Sequence, residues 1–333
     1  MDPQGTNAVA GPHRTTKLDM VLSSAFAGGR ETMVTFITKL TRALAILCAG
    51  TASAATNIAP PDFAPNSSVG WVAFAPRFIE PPAGQGPGPV PEDPNNPRVS
   101  NADFRTSGQR ASLFPMGDIN SPILQPWARE KMHEYNERVL SGKAAFNRQS
   151  SCWPVGVPHF LLYPVQPVYF IQTPEKVVMI WQADHQVRHV YLNVKHSAQI
   201  KLTDYGESVG HYEGDTLVVD TIGLHPRTDI DNYQTPHTDQ LHVIERFRII
   251  EGGDVLEVNL HVEDQGAFTT PWNAIQRYNR IEPGRPTNVH EVFSPVPSTG
   301  DPGPMIESSC AESPNTLIGA EALPLPQAEH PDF

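Results

Sequence analysis

The chain contains no apolar run approaching the ~20 residues that a membrane-spanning helix requires, so no span is expected in it. Charge is thin, at 18 % of residues, and its basic part is thinner. Only 24 Lys and Arg stand against 36 Asp and Glu, a formal net charge of −12. A nucleic-acid binder carries a basic footprint, and this composition excludes one. With 39 % hydrophobic residues the chain is neither a charged disordered tail nor a coiled coil. Chemical signatures are scarce as well. There is no G-x-S-x-G elbow, no G-x-G-x-x-G and no Walker loop, so a serine hydrolase, a dinucleotide enzyme or a P-loop NTPase would lack its usual mark. H-E-x-x-H, paired C-x-x-C and strand-borne H-x-H are also missing, and the 13 histidines are scattered; no metal or other cofactor is expected.

Cysteine is rare, at three residues, and their placement is informative. From Met33 the chain reads MVTFITKLTRALAILCAGTASAAT: basic Lys39 and Arg42, a short apolar core from Ala43 to Gly50, then Ala52-Ser53-Ala54. That is the order of a secretory signal peptide cleaved after Ala54, and it predicts a periplasmic or secreted protein. A mobile N-terminal helix is the plainer alternative. Residues 1–32 precede this better-placed Met and read as a mis-assigned start, so 1–54 are set aside from the fold. Cys48 leaves with the signal, and Cys152 and Cys310 remain as an even pair in an oxidising compartment. A disulfide between them would contribute about 4–5 kcal/mol on the loop-entropy model; two separate buried thiols are the alternative.

Proline is what the chain has in excess, 34 residues in 333, about twice the usual share. It concentrates in residues 55–122, where EPPAGQGPGPVPEDPNNP forbids helix interiors and central strands. This stretch reads as an irregular arm docked through Trp71, Phe74, Phe78 and Phe104. Residues 123–147 then give one helix, with Pro126 in its first turn, Trp127, Met132, Tyr135 and Val139 on one face, and Gly142 at its end. From Phe160 to about Glu282 the period becomes two. Strands are expected over 168–172, 176–182, 187–193, 208–214, 215–221, 240–250, 254–264 and 274–282, separated by turn residues such as Glu213-Gly214-Asp215. Short links without helical crossovers favour a mainly β, antiparallel up-and-down barrel of the lipocalin kind over residues 123–315, with 316–333 as a tail. A two-sheet sandwich is the alternative.

Alternation also sorts the chemistry. In QLHVIERFRII, Leu241, Val243, Glu245, Phe247 and Ile249 share the apolar, inward face, while His242, Ile244, Arg246 and Arg248 share the other. Glu245 is thus a carboxylate among apolar neighbours. It is either a proton-transfer group of raised pKa or the partner of an inward Arg such as Arg188 or Arg277. In 183–196 lie Asp184, His185, Arg188, His189 and Tyr191, with His189 and Tyr191 on one face and Arg188 on the other. A His–Tyr pair can shuttle protons while an Arg holds an anion; a solvated turn and half-exposed strand is the plainer reading. His211, His237, Asp239 and His242 complete the candidates.

The stretches GESVGHYEGDTLVVDT, HTDQLHVIERF and VEDQGAFTTPW, with Cys152-Trp153-Pro154-Val155-Gly156-Val157-Pro158 and QTPEKVVMIWQ upstream, resemble a family of exported bacterial proteins. Its pattern is G-D-S-V-G-x-W-E-G-D-T-L-V-V-D-T, then H-S-D-x-L-H-V-x-E-R-F, then D-P-x-x-Y/F-T-x-P-W. Tyr212 stands where the pattern has Trp, Asn193-Val194-Lys195-His196 replaces D-G-R-x-H, Thr238 replaces Ser, and Gln265-Gly266 departs from D-P. The resemblance implies export and supplies no mechanism.

The expected protein is a secreted barrel enzyme of the lyase or isomerase kind, acting on a small hydrophobic or phenolic molecule. Glu245 and His189 would exchange protons, and Arg188 or Arg246 would hold the anion. Asp239 would orient His242 or His237, His211 would complete the catalytic set, and His185, Tyr191 and His237 would help bind the substrate. The alternatives are a non-catalytic lipocalin-like small-molecule carrier and a scaffold whose ionisable groups are all paired.

Overall fold

The computed structural model describes residues 59–97, 115–141, 148, 153–162, 167–182 and 186–284. The expected signal segment, Phe104, Asp184, His185, Cys152, Cys310 and the tail all lie outside these residues. Nine strands follow in chain order: β1 Gly70–Ala73, β2 Val168–Gln172, β3 Lys176–Trp181, β4 Val187–Leu192, β5 Glu207–Glu213, β6 Thr216–Ile222, β7 His242–Ile250, β8 Val255–Glu263 and β9 Trp272–Ile281. Helix α1, Pro126–Leu140, lies between β1 and β2 in sequence. The strands form a closed barrel in sequential order, β9 pairing back to β1. β1 closes the ring, pairing along all four of its residues with β9 and at Trp71–Val168 with β2.

Local chemistry sets the joints. Glu213 pairs with Thr216 across a two-residue turn in which Gly214 takes φ 61°, a left-handed value that costs glycine nothing. β4 and β5 run parallel, so an all-antiparallel meander is not what forms at this joint. Parallel strands need a crossover of a dozen or more residues, and the 193–206 link has that length. The second departure is β1. Proline content predicts an irregular arm throughout 55–122, yet GWVA supplies the closing strand, with Trp71 buried in the wall and its indole N–H donating to the Phe63 carbonyl at 2.9 Å. Phe78 is buried as expected, whereas Phe74 is 45 % exposed.

α1 buries Ala128, Met132, Tyr135, Asn136 and Val139. Trp127, expected on that face, is instead 43 % exposed, its indole N–H donating to the Gly266 carbonyl at 2.6 Å. One face satisfies periodicity; the polar edge of the indole decides the other. Inside the barrel, Phe63, Phe170 and Phe247 pack ring to ring. The short turn His159–Leu162 adds Phe160 against Trp181, with centroids 5.6 Å apart, and is anchored where Tyr278 Oη donates to the Leu161 carbonyl at 2.7 Å. These side chains pack the interior as a core.

Candidate functional site

Glu245 points inward from β7, as alternation requires, and it is fully buried. Opposite it, Arg188 of β4 is 1 % exposed and forks onto the carboxylate: Nη1 donates to Oε1 at 2.8 Å, and Nη2 donates to Oε2. Nη2 also donates to Thr221 Oγ1 at 3.0 Å and Ser208 Oγ at 3.2 Å. The two N–H groups of Nη2 are shared among these three oxygens; charge is matched within the core, so of the two readings of Glu245 the ion pair with Arg188 is the one found. Arg277, the other cation considered, turns to Glu257 instead.

The proposed exchange of a proton between Glu245 and His189 is therefore corrected. His189 follows Arg188 directly, so the strand period that buries the arginine puts the histidine on the outer wall. There it stacks on exposed Tyr191 with centroids 6.4 Å apart. Arg246 is outward for the same reason and binds Glu213 at 2.7 Å, which also takes His211 at 3.0 Å. Neither reaches the interior. His242 bonds Asp220 at 2.9 Å and faces Glu263 at 3.5 Å, while His237 bonds Thr228 and the Thr238 carbonyl, so Asp239 orients neither histidine.

Titratable groups converge instead beside the 223–241 link joining β6 to β7. Asp231 organises this link: its Oδ1 accepts the amide N–H groups of Tyr233 at 2.9 Å and Thr235 at 3.2 Å, and its Oδ2 accepts the Thr235 hydroxyl at 2.9 Å. Burial nevertheless pushes its pKa up to about 7, against these bonds and with help from the charge of Asp229. His237 is buried, with Nδ1 2.7 Å from the Thr238 carbonyl, which can only accept, so Nδ1 carries a proton; Nε2 lies 2.8 Å from the Thr228 hydroxyl, which also reaches the His225 carbonyl at 3.1 Å. Burial lowers its pKa. Gly156 makes this packing possible: a Cβ there would lie 2.6 Å from Thr228 Cβ. His159 contacts Asn232 Oδ1 at 3.0 Å, and burial lowers its pKa to about 4.

Asp229 is the member that opens outward. Its side chain is 21 % exposed and lies 3.4 Å from Arg148 Nε. Burial raises its pKa to about 6, outweighing the opposing pull of Arg148. A cleft of about 660 Å³ runs between this link and α1, lined by Asp229, His237, Arg148, Trp127, Tyr135 and Arg138, among others. A second, of about 460 Å³, lies on the other side of the 231–233 turn against residues 75–80 and 89–92. Among the described residues no group of three or more His, Cys, Asp or Glu is arranged to hold a metal ion.

No family model matches the chain, and searches of curated proteins and of solved structures return no match. The site thus rests on its own geometry. Of the residues singled out from sequence, His237 and Asp239 line this cleft; Asp229, Asp231, Arg148 and Tyr135 were missed as site residues. A signal existed in the length of the 223–241 link, since long links in packed domains commonly carry function.

Proposed function

We propose that this protein is an enzyme performing general acid-base chemistry, an elimination, hydration or isomerisation, on a small hydrophobic or phenolic molecule. The reaction is placed in the cleft between α1 and the 223–241 link, with Asp229 exchanging the proton. The observation that carries this reading is that Asp229 opens into the cleft with its pKa drawn up to about 6 by burial. A group titrating near the working pH is both a competent base and, once protonated, a competent acid. Arg148 supplies a fixed cation beside the transfer position, suited to a developing anion. Trp127 and Tyr135, with Pro226 and Pro236, give the same cleft apolar surface. His237, neutral and held at both nitrogens, positions the wall.

A chromogenic base probe tests this directly. In 5-nitrobenzisoxazole a base removes the C3 proton while the N–O bond breaks, giving a coloured cyanophenolate. Saturable turnover is expected, rising with pH through about 6. Asp229→Asn should lower the rate about 10²-fold while the thermal midpoint stays near that of the wild type. Equal turnover by the wild type and a folded Asp229→Asn variant would overturn the assignment.

A further inference from the structure

On the outer wall a continuous chain of imidazoles and carboxylates crosses five strands. His196, on the 193–206 link, sets Nδ1 3.0 Å from Glu207 Oε1 of β5 and Nε2 3.2 Å from Asp220 Oδ1 of β6. The same Asp220 oxygen meets His242 Nε2 of β7 at 2.9 Å. His242 Nδ1 faces Glu263 Oε2 of β8 at 3.5 Å, and Glu263 Oε1 meets His261 Nε2 at 2.9 Å. His261 Nδ1 ends the chain on Asn273 Oδ1 of β9 at 2.8 Å. Asn273 Nδ2 donates to the Gln85 carbonyl, which fixes Oδ1 as the atom facing the ring.

Every group that a ring nitrogen faces here is an acceptor only. A neutral imidazole has a single N–H, so it can satisfy one side and must oppose a lone pair to the other. The full set of contacts exists only when the histidines are charged. Three imidazolium ions then balance the three carboxylates Glu207, Asp220 and Glu263; without those protons the seam carries three uncompensated negative charges. Arg246, the cation in the hollow beside His261, is turned to Glu213. Ser197 adds its amide and hydroxyl on Glu207. Both ends of the link are held independently of these protons: the Asn193 amide donates to the Gly210 carbonyl at 2.7 Å, the Thr203 amide donates to the Gly223 carbonyl at 3.0 Å, and Arg227 binds Asp204 at 2.6 Å.

We infer that this chain is a proton-operated latch: it fastens residues 194–202, the middle of the link, to the barrel while its histidines are charged and releases them when they are neutral. Its direction agrees with the individual groups. Burial alone would lower His261, but Glu263 and Asn273 hold it above 6.5. Glu207 is held low by Ser197 first and His196 after it, and Glu263 by His261. For a histidine raised on folding, the stabilisation is complete below 6.5 and is lost as pH rises through the folded value.

Lys195 and Lys201 sit in the link and report on it. In the full chain, trypsin cleavage at these sites is compared with cleavage of a free peptide of residues 193–206 at each pH. The protection of the protein over the peptide should fall about tenfold between pH 6 and pH 8.5, the one-to-two-kcal scale of a few charged hydrogen bonds. Asp220→Asn should show low protection at both pH values. Independently, the His261 ring should titrate above 6.5 by NMR. Protection that is independent of pH in the wild type, or a His261 midpoint at or below 6.5, would overturn the latch.

Discussion

Glu245→Ala is expected to destabilise the barrel by about 3–5 kcal/mol, because it strands a buried guanidinium. Arg188 would keep only the hydroxyls of Ser208 and Thr221, neither of which carries the opposing charge. For a domain of this size each kcal/mol moves the thermal midpoint about 2–4 °C, so a drop of about 10 °C is anticipated. Replacing both partners, Arg188→Met with Glu245→Leu, should recover most of that loss, since two apolar side chains need no compensation. Urea unfolding of the two variants separates the effects. A double variant as unstable as the single would mean that cavity or strain, not unpaired charge, sets the cost.

The pair also bears on how the strands find their register. Its bonds join β4 to β5, β6 and β7 through Arg188, Ser208, Thr221 and Glu245. A one-residue slip of β4 would turn Arg188 outward and leave Glu245 buried alone. The parallel β4–β5 joint has no hairpin turn to fix its alignment, which makes a polar register marker useful at that place.

Asp231→Asn should change the pH dependence of stability more than any other single substitution in the link. The carboxyl rises from 3.8 to about 7 on folding, chiefly through burial. A raised carboxyl contributes stability that is complete below the unfolded value of 3.8 and is lost as pH climbs through about 7. At about 1.4 kcal/mol per unit the shift corresponds to about 4–5 kcal/mol across that whole window. Asparagine keeps an acceptor for the Tyr233 and Thr235 amides but cannot ionise. The variant should therefore gain on the wild type by about 3–4 kcal/mol as pH is raised from 4 to 7.5. His159 pulls the other way: its pKa falls from 6.5 to about 4, so its contribution is present above 6.5 and lost on acidification. It is common to both proteins and cancels in the difference. A stability difference that stays flat with pH would show that Asp231 is ionised throughout.

Much of the wall was legible because strand alternation is a local property. Val187–Leu192 alternates exposed and buried without exception, and the same period placed Glu245 inside from the residues around it. It also contained the correction to His189, since adjacent residues of one strand cannot share an interior. β1 was hidden because four residues, GWVA, give too short a pattern to stand out within a proline-rich arm. Asp229 and Arg148 were hidden for a different reason. They are far apart in sequence, and what brings one to the other is where the closed barrel and α1 place an irregular link; no spacing encodes that. The partner of Glu245 was foreseen as one of two arginines because both lie on strands, and barrel geometry chose Arg188.

The protonation of Asp229 decides the proposed chemistry most directly. Its side-chain carboxyl carbon, assigned by comparison with Asp229→Asn and followed by NMR over pH 3–9, should titrate with a midpoint at about 6. A midpoint in the ordinary aspartate range near 3.8 would make it a fully ionised surface partner of Arg148, with no role as an acid at neutral pH.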